Sequence, residues 1–247
     1  MGIIVFAKKV KNKINYIKVC SQNKKKIEKS FPQLKQYKDK FAGKRCFIIG
    51  NGPSLRTDDL EKLGNEITFA SNGIYFVYDK TDWRPYFYCV QDTKLINERY
   101  RAIIENCSDG IKFFGLVKDR KYPLFPKGSI FIELLNEPFV DGLPKFSDNA
   151  LDGFYEGMTV TYFNIQLAVY MGIKEIYLIG VDHFYSGDEN DHFSKDDKCD
   201  NPPQTDKSTC AYIKAKEYAD KNGVKIFNAT RGGRLEVFDR VDFDEIV

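Results

Sequence analysis

The stretch Arg45-Cys46-Phe47-Ile48-Ile49-Gly50-Asn51-Gly52-Pro53-Ser54-Leu55 decides how this chain is read. Cys46 to Ile49 is a short apolar run closed by two glycines, a proline and a serine. That pattern predicts a buried strand running into a tight turn, and Asp58-Asp59-Leu60 with Leu63 predicts a helix after it. A glycine turn between a buried strand and a helix can bring bare backbone N–H groups close to a phosphate. Gly50 and Gly52 also let a ligand approach without meeting a Cβ. Leu55 stands where the dinucleotide fingerprint has its third glycine, so an ordinary strand-to-helix turn explains the same residues. On this stretch alone both readings stay open.

Outward from the turn, further apolar runs follow at intervals. They are Ile67–Asn72, Tyr86–Asp92, Lys112–Leu116, Ser129–Leu135, Lys174–Asp182 and Val224–Asn228. A mostly apolar helix is predicted over Tyr162–Met171, ended by Gly172, and an amphipathic one over Thr209–Asn222, closed by Gly223. The fold expected is α/β: a doubly wound, mostly parallel Rossmann-like sheet. In such a sheet ligands collect at the carboxyl ends of the strands. Asn72, Asp92 and Asp182 each close a run and so fall where site residues belong, although Asn and Asp are also ordinary turn formers and helix caps. Two stretches read as loops. Residues 136–156 are rich in Pro, Gly and polar groups and suit a lid or an acceptor-side surface; residues 186–208 are polar and expected to be mobile. The carboxylates of the second loop miss the EF-hand spacing, and no metal site is predicted.

The totals fit one sizeable domain with an appendage: 247 residues, 43% hydrophobic and 15% aromatic. Six cysteines are scattered with no CxxC pair, which argues for reduced thiols in a cytoplasmic protein and against a disulfide framework or zinc site. No run approaches a membrane span, and no signal-peptide pattern is present. Charge is uneven. Residues 1–44 carry 13 lysines against Glu28 and Asp39, a balance of +11, so the remainder carries −8 of the net +3. Residues 1–43 are therefore read as a basic arm and 44–247 as the nucleotide-binding domain. Ile3, Phe6, Ala7, Val10, Ile14 and Ile17 fit one face of a helix. Two settings suit a basic amphipathic helix: packing on its own domain, or contact through residues 1–30 with the anionic inner face of the plasma membrane. Nucleic acid is not expected, because residues 1–30 hold no arginine and, with only Phe6 and Tyr16, lack interleaved aromatics. A homo-oligomer is left open.

Two motifs carry a family likeness. Gly50-Asn51-Gly52-Pro53-Ser54-Leu55 and the pair Thr159-Val160-Thr161-Tyr162 … Gly172–Asp182 resemble the bacterial sialyltransferases of glycosyltransferase family 42, with their GT-A-like variant of the fold. They resemble still more closely the domain once called domain of unknown function 115. That group includes archaeal 6-hydroxymethyl-dihydropterin diphosphokinases, flagellin-modifying motility factors and proteins of surface-polysaccharide clusters. Phe227–Arg234 and Arg240–Asp244 also look like this group, so the likeness covers about residues 44–245. The resemblance implies that Gly50, Asn51, Gly52, Ser54 and Asn72 bind the nucleotide of a cytidine-linked donor. It implies that Thr159 and Thr161 stand near a turn that touches the donor, and that Tyr185 is the nearest match to a tyrosine on the leaving phosphate. The family turn reads Thr-Ser-Gly where this chain has Thr159-Val160-Thr161. The family's general-base histidine aligns with Lys207, so the base does not carry over.

Glycosyl transfer needs a stabilised leaving phosphate, a deprotonated acceptor hydroxyl and exclusion of water. Of the two histidines, His192 lies in the polar loop and is the candidate base; Asp182 is a second candidate. The expected activity is transfer of a sugar, a sialic-acid-like nonulosonate from its CMP form, to a bacterial surface glycan, with no cofactor required. The alternative enzyme transfers diphosphate from ATP to a hydroxymethylpterin. It would need Mg2+ on carboxylates such as Asp92 and Asp182, with Arg231 and Arg234 supplying charge. A third reading is a nucleotide-binding module without catalysis.

Overall fold

The computed structural model describes residues 2–107, 110–185, 191–194, 197 and 204–247, with side chains from Lys9 onward. In chain order the strands are β1 (Arg45–Ile49), β2 (Thr68–Ser71), β3 (Phe87–Val90), β4 (Ile111–Leu116), β5 (Ile130–Leu135), β6 (Phe154–Tyr155), β7 (Glu175–Ile179), β8 (Lys225–Asn228) and β9 (Asp239–Arg240). The helices are α1 (Gly2–Tyr37), α2 (Thr57–Glu61), α3 (Thr93–Asn106), α4 (Val160–Tyr170), α5 (Thr205–Asn222) and α6 (Phe243–Ile246), with a 3-10 helix at Asn72–Val77.

The nine strands form one sheet in the order β6-β5-β4-β3-β2-β1-β7-β8-β9, and every pairing is parallel. From β1 the chain steps outward strand by strand to β6. Helix α4 then carries it back to β7, on the other side of β1. The direction of winding reverses between β1 and β7, and this is the switch point of the sheet.

Parallel strands buried on both faces read as continuous apolar runs, which is why the central ones stand out in the sequence. Alternate residues feed two cores. Cys46 and Ile48 of β1 face α4, α5 and Leu34 of α1. Phe47 and Ile49 face α2, α3, α6 and the 3-10 helix. Helices thus cover both faces, as a doubly wound sheet requires. On the second face Phe47, Tyr177 and Phe227 stack across β1, β7 and β8 with ring centroids 5.2 and 5.3 Å apart, which ties together the strands flanking the switch point. Helix α4 is buried nearly all round, consistent with its almost wholly apolar sequence.

Several boundaries differ from expectation. Helix α5 begins at Thr205, four residues before the expected start, with Asp206 in its first turn. The loop 136–156 is interrupted by β6, a two-residue strand too short to give a periodic pattern. Two short elements, β9 and α6, follow the last expected strand. Most of the stretch 186–208, with its expected mobility, lies outside the described residues. No helix among the described residues is long and apolar enough to cross a membrane. The five described cysteines are free; Cys199 lies outside the described residues.

Candidate active site

The loops after β1, β7 and β8 meet at the switch point. Gly50 donates its N–H to Ile179 O at 2.8 Å and Gly52 to Gly180 O at 2.8 Å. A Cβ on Gly50 would overlap the Gly180 carbonyl, and one on Gly52 would overlap the Asp182 carboxylate. The glycines therefore serve the close approach of two backbone loops. Their own N–H groups are spent on Ile179 and Gly180 rather than aimed into the crevice. Gly233 is equally constrained, because its Cβ would fall 2.7 Å from Asp182 Cα.

Asp182 sits in the notch this leaves. Its Oδ2 accepts from Ser54 Oγ at 2.8 Å, and its backbone oxygen accepts from Arg234 N–H at 2.7 Å. Burial pushes the Asp182 carboxyl above the ordinary carboxylate range, and the hydrogen bonds from Ser54 pull it only partly back. A carboxyl raised in the folded state contributes most to stability while protonated, and that contribution is lost as pH rises through the raised value. Asp182→Asn is accordingly expected to match or exceed the parent in Tm at pH 7, by about 1–2 °C. The difference should vanish near pH 4, in a paired thermal-melt series. A parent that is instead more stable at pH 7 would show that the ionised carboxylate is well solvated.

Next to this notch, amide side chains line the carboxyl ends of β1, β2 and β3. Asn51 Nδ2 donates to Ser71 O at 3.0 Å, and Asn164 Nδ2, from α4, donates to Ser71 Oγ at 2.9 Å. Asn72 follows β2 at a positive φ of 53°. Gln91 follows β3 and packs over Gly115. In all four residues the amide oxygen is buried and unpartnered: Asn51 Oδ1, Asn72 Oδ1, Gln91 Oε1 and Asn164 Oδ1. Leaving a buried acceptor without a hydrogen bond costs about 1–3 kcal/mol, so four such oxygens near the ends of neighbouring strands single this region out.

The remaining expected residues take distinct places. Asp92 caps α3, its Oδ1 accepting from Lys94 N at 2.7 Å and Leu95 N at 3.2 Å. Thr159 caps α4 through Thr161 N and lies 3.4 Å from Tyr212 Oη; Thr161 is buried. Tyr185 is exposed, with its ring 6.4 Å from that of His192. His192 Nδ1 stands 4.0 Å from Asp197, itself paired to Arg99. The neighbouring Phe193 N–H donates to Asn51 O at 3.0 Å, which holds this segment against the Gly50–Gly52 turn. Of the two arginines considered for phosphate, Arg231 is engaged by Asp59 and Asp244. Arg234 is exposed and lies over the Phe184 ring at 3.8 Å, beside Asp182. The second histidine, His183, bonds Thr209 Oγ1 at 2.7 Å; burial lowers its pKa.

Sequence reasoning passed over Gln91, Asn164 and Glu156. Glu156 directly follows β6, and its N–H donates to Leu135 O at 3.0 Å. Its carboxylate is half-buried. Burial first, and then the charge of Asp92, push its pKa up, opposed by Arg120 and Lys207. Among the described residues no three His, Cys, Asp or Glu side chains gather as a metal site. Mg2+ held through substrate phosphates needs only one or two carboxylates, so this arrangement does not separate the two enzyme chemistries.

Residues 18–188 match the family model described as 6-hydroxymethylpterin diphosphokinase MptE-like. The chain belongs to the MptE-like family. No curated protein matches it. Among solved structures, the MptE-like chain is similar to the MAf glycosyltransferase from Magnetospirillum magneticum AMB-1. The TM-score is 0.53 with 16% identity over 87% of this chain, which spans only 38% of the Magnetospirillum chain. It also matches the sialyltransferase CstII from Campylobacter jejuni, solved with a substrate analogue, at TM-score 0.44 and 18% identity, covering 81% of this chain and 85% of that one. At such identities the first likeness establishes the fold of the MptE-like chain and nothing further.

Proposed function

We propose that the protein is a glycosyltransferase that moves a sugar, of the sialic-acid-like nonulosonate class, from a CMP-linked donor to a bacterial surface glycan. The observation that carries this reading is the row of unpartnered amide oxygens at Asn51, Asn72, Gln91 and Asn164. A nucleoside offers the matching groups, an exocyclic amine and ribose hydroxyls, and it binds where the winding of an open sheet reverses. Arg234, exposed and lying over the Phe184 ring next to Asp182, is a cation available to a departing phosphate. Asp182 and Ser54 shape the floor, with Tyr185 at the edge. No cofactor is required.

On the acceptor side, a base takes the hydroxyl proton as the oxygen attacks the anomeric carbon and the bond to phosphate breaks. His192 and Glu156 are the candidates. Glu156 is favoured, because a half-buried carboxylate whose proton affinity is raised by burial and by Asp92 suits a general base. His192 faces a carboxylate already shared with Arg99.

The family description favours a second reading, diphosphoryl transfer from ATP to a hydroxymethylpterin. There a carboxylate such as Asp92 or Asp182 would hold Mg2+, which would supply neutralisation of the phosphate charge. Product analysis separates the two. Incubated with a panel of nucleotide sugars, a glycosyltransferase slowly releases the free nucleotide, whereas a diphosphokinase releases AMP only from Mg·ATP with the pterin. CMP release from a CMP-sugar is the expected result. AMP as the sole product would overturn it.

A further inference from the structure

Helix α1 has two halves that do different things. From Asn23 onward it is built into the domain. Asn23 Nδ2 donates to Lys118 O at 3.0 Å and Arg120 O at 2.7 Å, Phe131 N–H donates to Ser30 Oγ at 2.9 Å, and Ile27 and Leu34 are buried. Lys118 and Arg120 follow β4, whereas Tyr37 packs edge-on against Phe87, the first residue of β3. The helix therefore runs antiparallel to the strands. Its first half projects past the carboxyl edge, the same edge on which the candidate site opens. Residue 9 lies about 21 Å along the helix from Asn23.

Every residue from 9 to 18 is exposed. At 3.6 residues per turn Val10, Ile14 and Ile17 fall within about 60° of one another, with Lys9 and Lys13 on one flank and Lys11 and Lys18 on the other. This stripe is rotated by about 140° from the face formed by Asn23, Ile27, Ser30 and Leu34, so it does not continue the surface that packs on the domain. Val10, Ile14 and Ile17 are 41%, 59% and 56% exposed. No Asp or Glu occurs before Glu28, and the family match begins only at residue 18.

We infer that residues 9–18 are a docking surface for an anionic lipid bilayer, with the apolar stripe seated among the acyl chains and the flanking lysines on the headgroups. An apolar stripe bordered by lysines is the arrangement that lies in a membrane interface, and each lysine adds about fivefold in partitioning. A second copy of the helix fits poorly, because pairing would set lysine against lysine with no carboxylate to answer it. Docking holds the crevice near the surface, within reach of a membrane-anchored glycan; only this last step rests on the function proposed above.

Co-sedimentation of the full chain with vesicles of phosphatidylcholine, with and without 30% phosphatidylserine, tests the inference. Binding is expected to the anionic vesicles alone and to weaken in 0.5 M salt. It should fall at least tenfold both in Val10→Ser/Ile14→Ser/Ile17→Ser and in Lys9→Gln/Lys11→Gln/Lys13→Gln/Lys18→Gln. Circular dichroism and melting of both variants should match the parent. Equal binding by the variants, or none by the parent, overturns it. So does an arm-dependent dimer in sedimentation velocity, or arm-dependent capture of an oligonucleotide in place of vesicles. Nucleotide-induced melting shifts on the same samples separate this result from the functional one: vesicle binding without any nucleotide response would leave the docking surface standing and remove the proposed activity.

Discussion

Glu156→Gln is expected to lower kcat by about 10²–10⁴-fold while leaving donor binding unchanged. The substitution keeps size and hydrogen-bonding capacity but cannot accept the acceptor's proton. The sign of the pH dependence follows from the environment. Burial and the charge of Asp92 hold the Glu156 proton more tightly than usual. The parent rate should therefore rise with pH through a value above the ordinary carboxylate range, and the variant should lose that limb. His192→Ala is the companion. Its ring reaches the site only through the segment that Phe193 ties to Asn51. Turnover intact in Glu156→Gln and abolished in His192→Ala would move the base to His192.

Gly50→Ala should cost about 3 kcal/mol, and so about 6–12 °C in Tm. The added methyl would overlap the Gly180 carbonyl and stand 3.0 Å from Val181 Cγ2, and the first of these is backbone that cannot turn aside. Relief requires β1 and β7 to part at the switch point, which also breaks the Gly50 N–H bond to Ile179 O. Nucleotide-induced stabilisation should be lost with it. Gly64→Ala is the control. Its nearest neighbour would be 3.6 Å away, and a change within about 0.5 kcal/mol is expected. Equal melting of the two variants would mean the turn is not the tight junction described.

Much of this fold was legible because its central strands are buried on both faces and cannot be anything but apolar. β1 and β7 are read directly from Cys46–Ile49 and Ile176–Ile179. Strand order was not legible: nothing in the sequence says that β7 returns beside β1. β6 and β9 are two residues each, and Asp239 and Arg240 are exposed, so no hydrophobic pattern announces them. Within the site, Asn51 and Asn72 stood out because they end apolar runs. Gln91 was overlooked beside Asp92, and Asn164 lies inside a helix that otherwise reads as core. Their importance is a matter of unmade hydrogen bonds, which exist only in three dimensions. Glu156 reads as loop because its burial depends on the return of the chain through α4. The glycine turn was located correctly, but Gly50 and Gly52 direct their N–H groups to the β7 loop rather than to a ligand.

The nucleotide of the sugar donor is proposed to sit in the crevice between β1 and β7. Melting of the full chain with CMP, UDP, GDP and ATP, each with and without Mg2+, addresses it directly. CMP at 100-fold over its Kd should raise Tm by about 5 °C or more without Mg2+. A response to Mg·ATP alone, or to none of the four, would rule out a sugar-nucleotide site there.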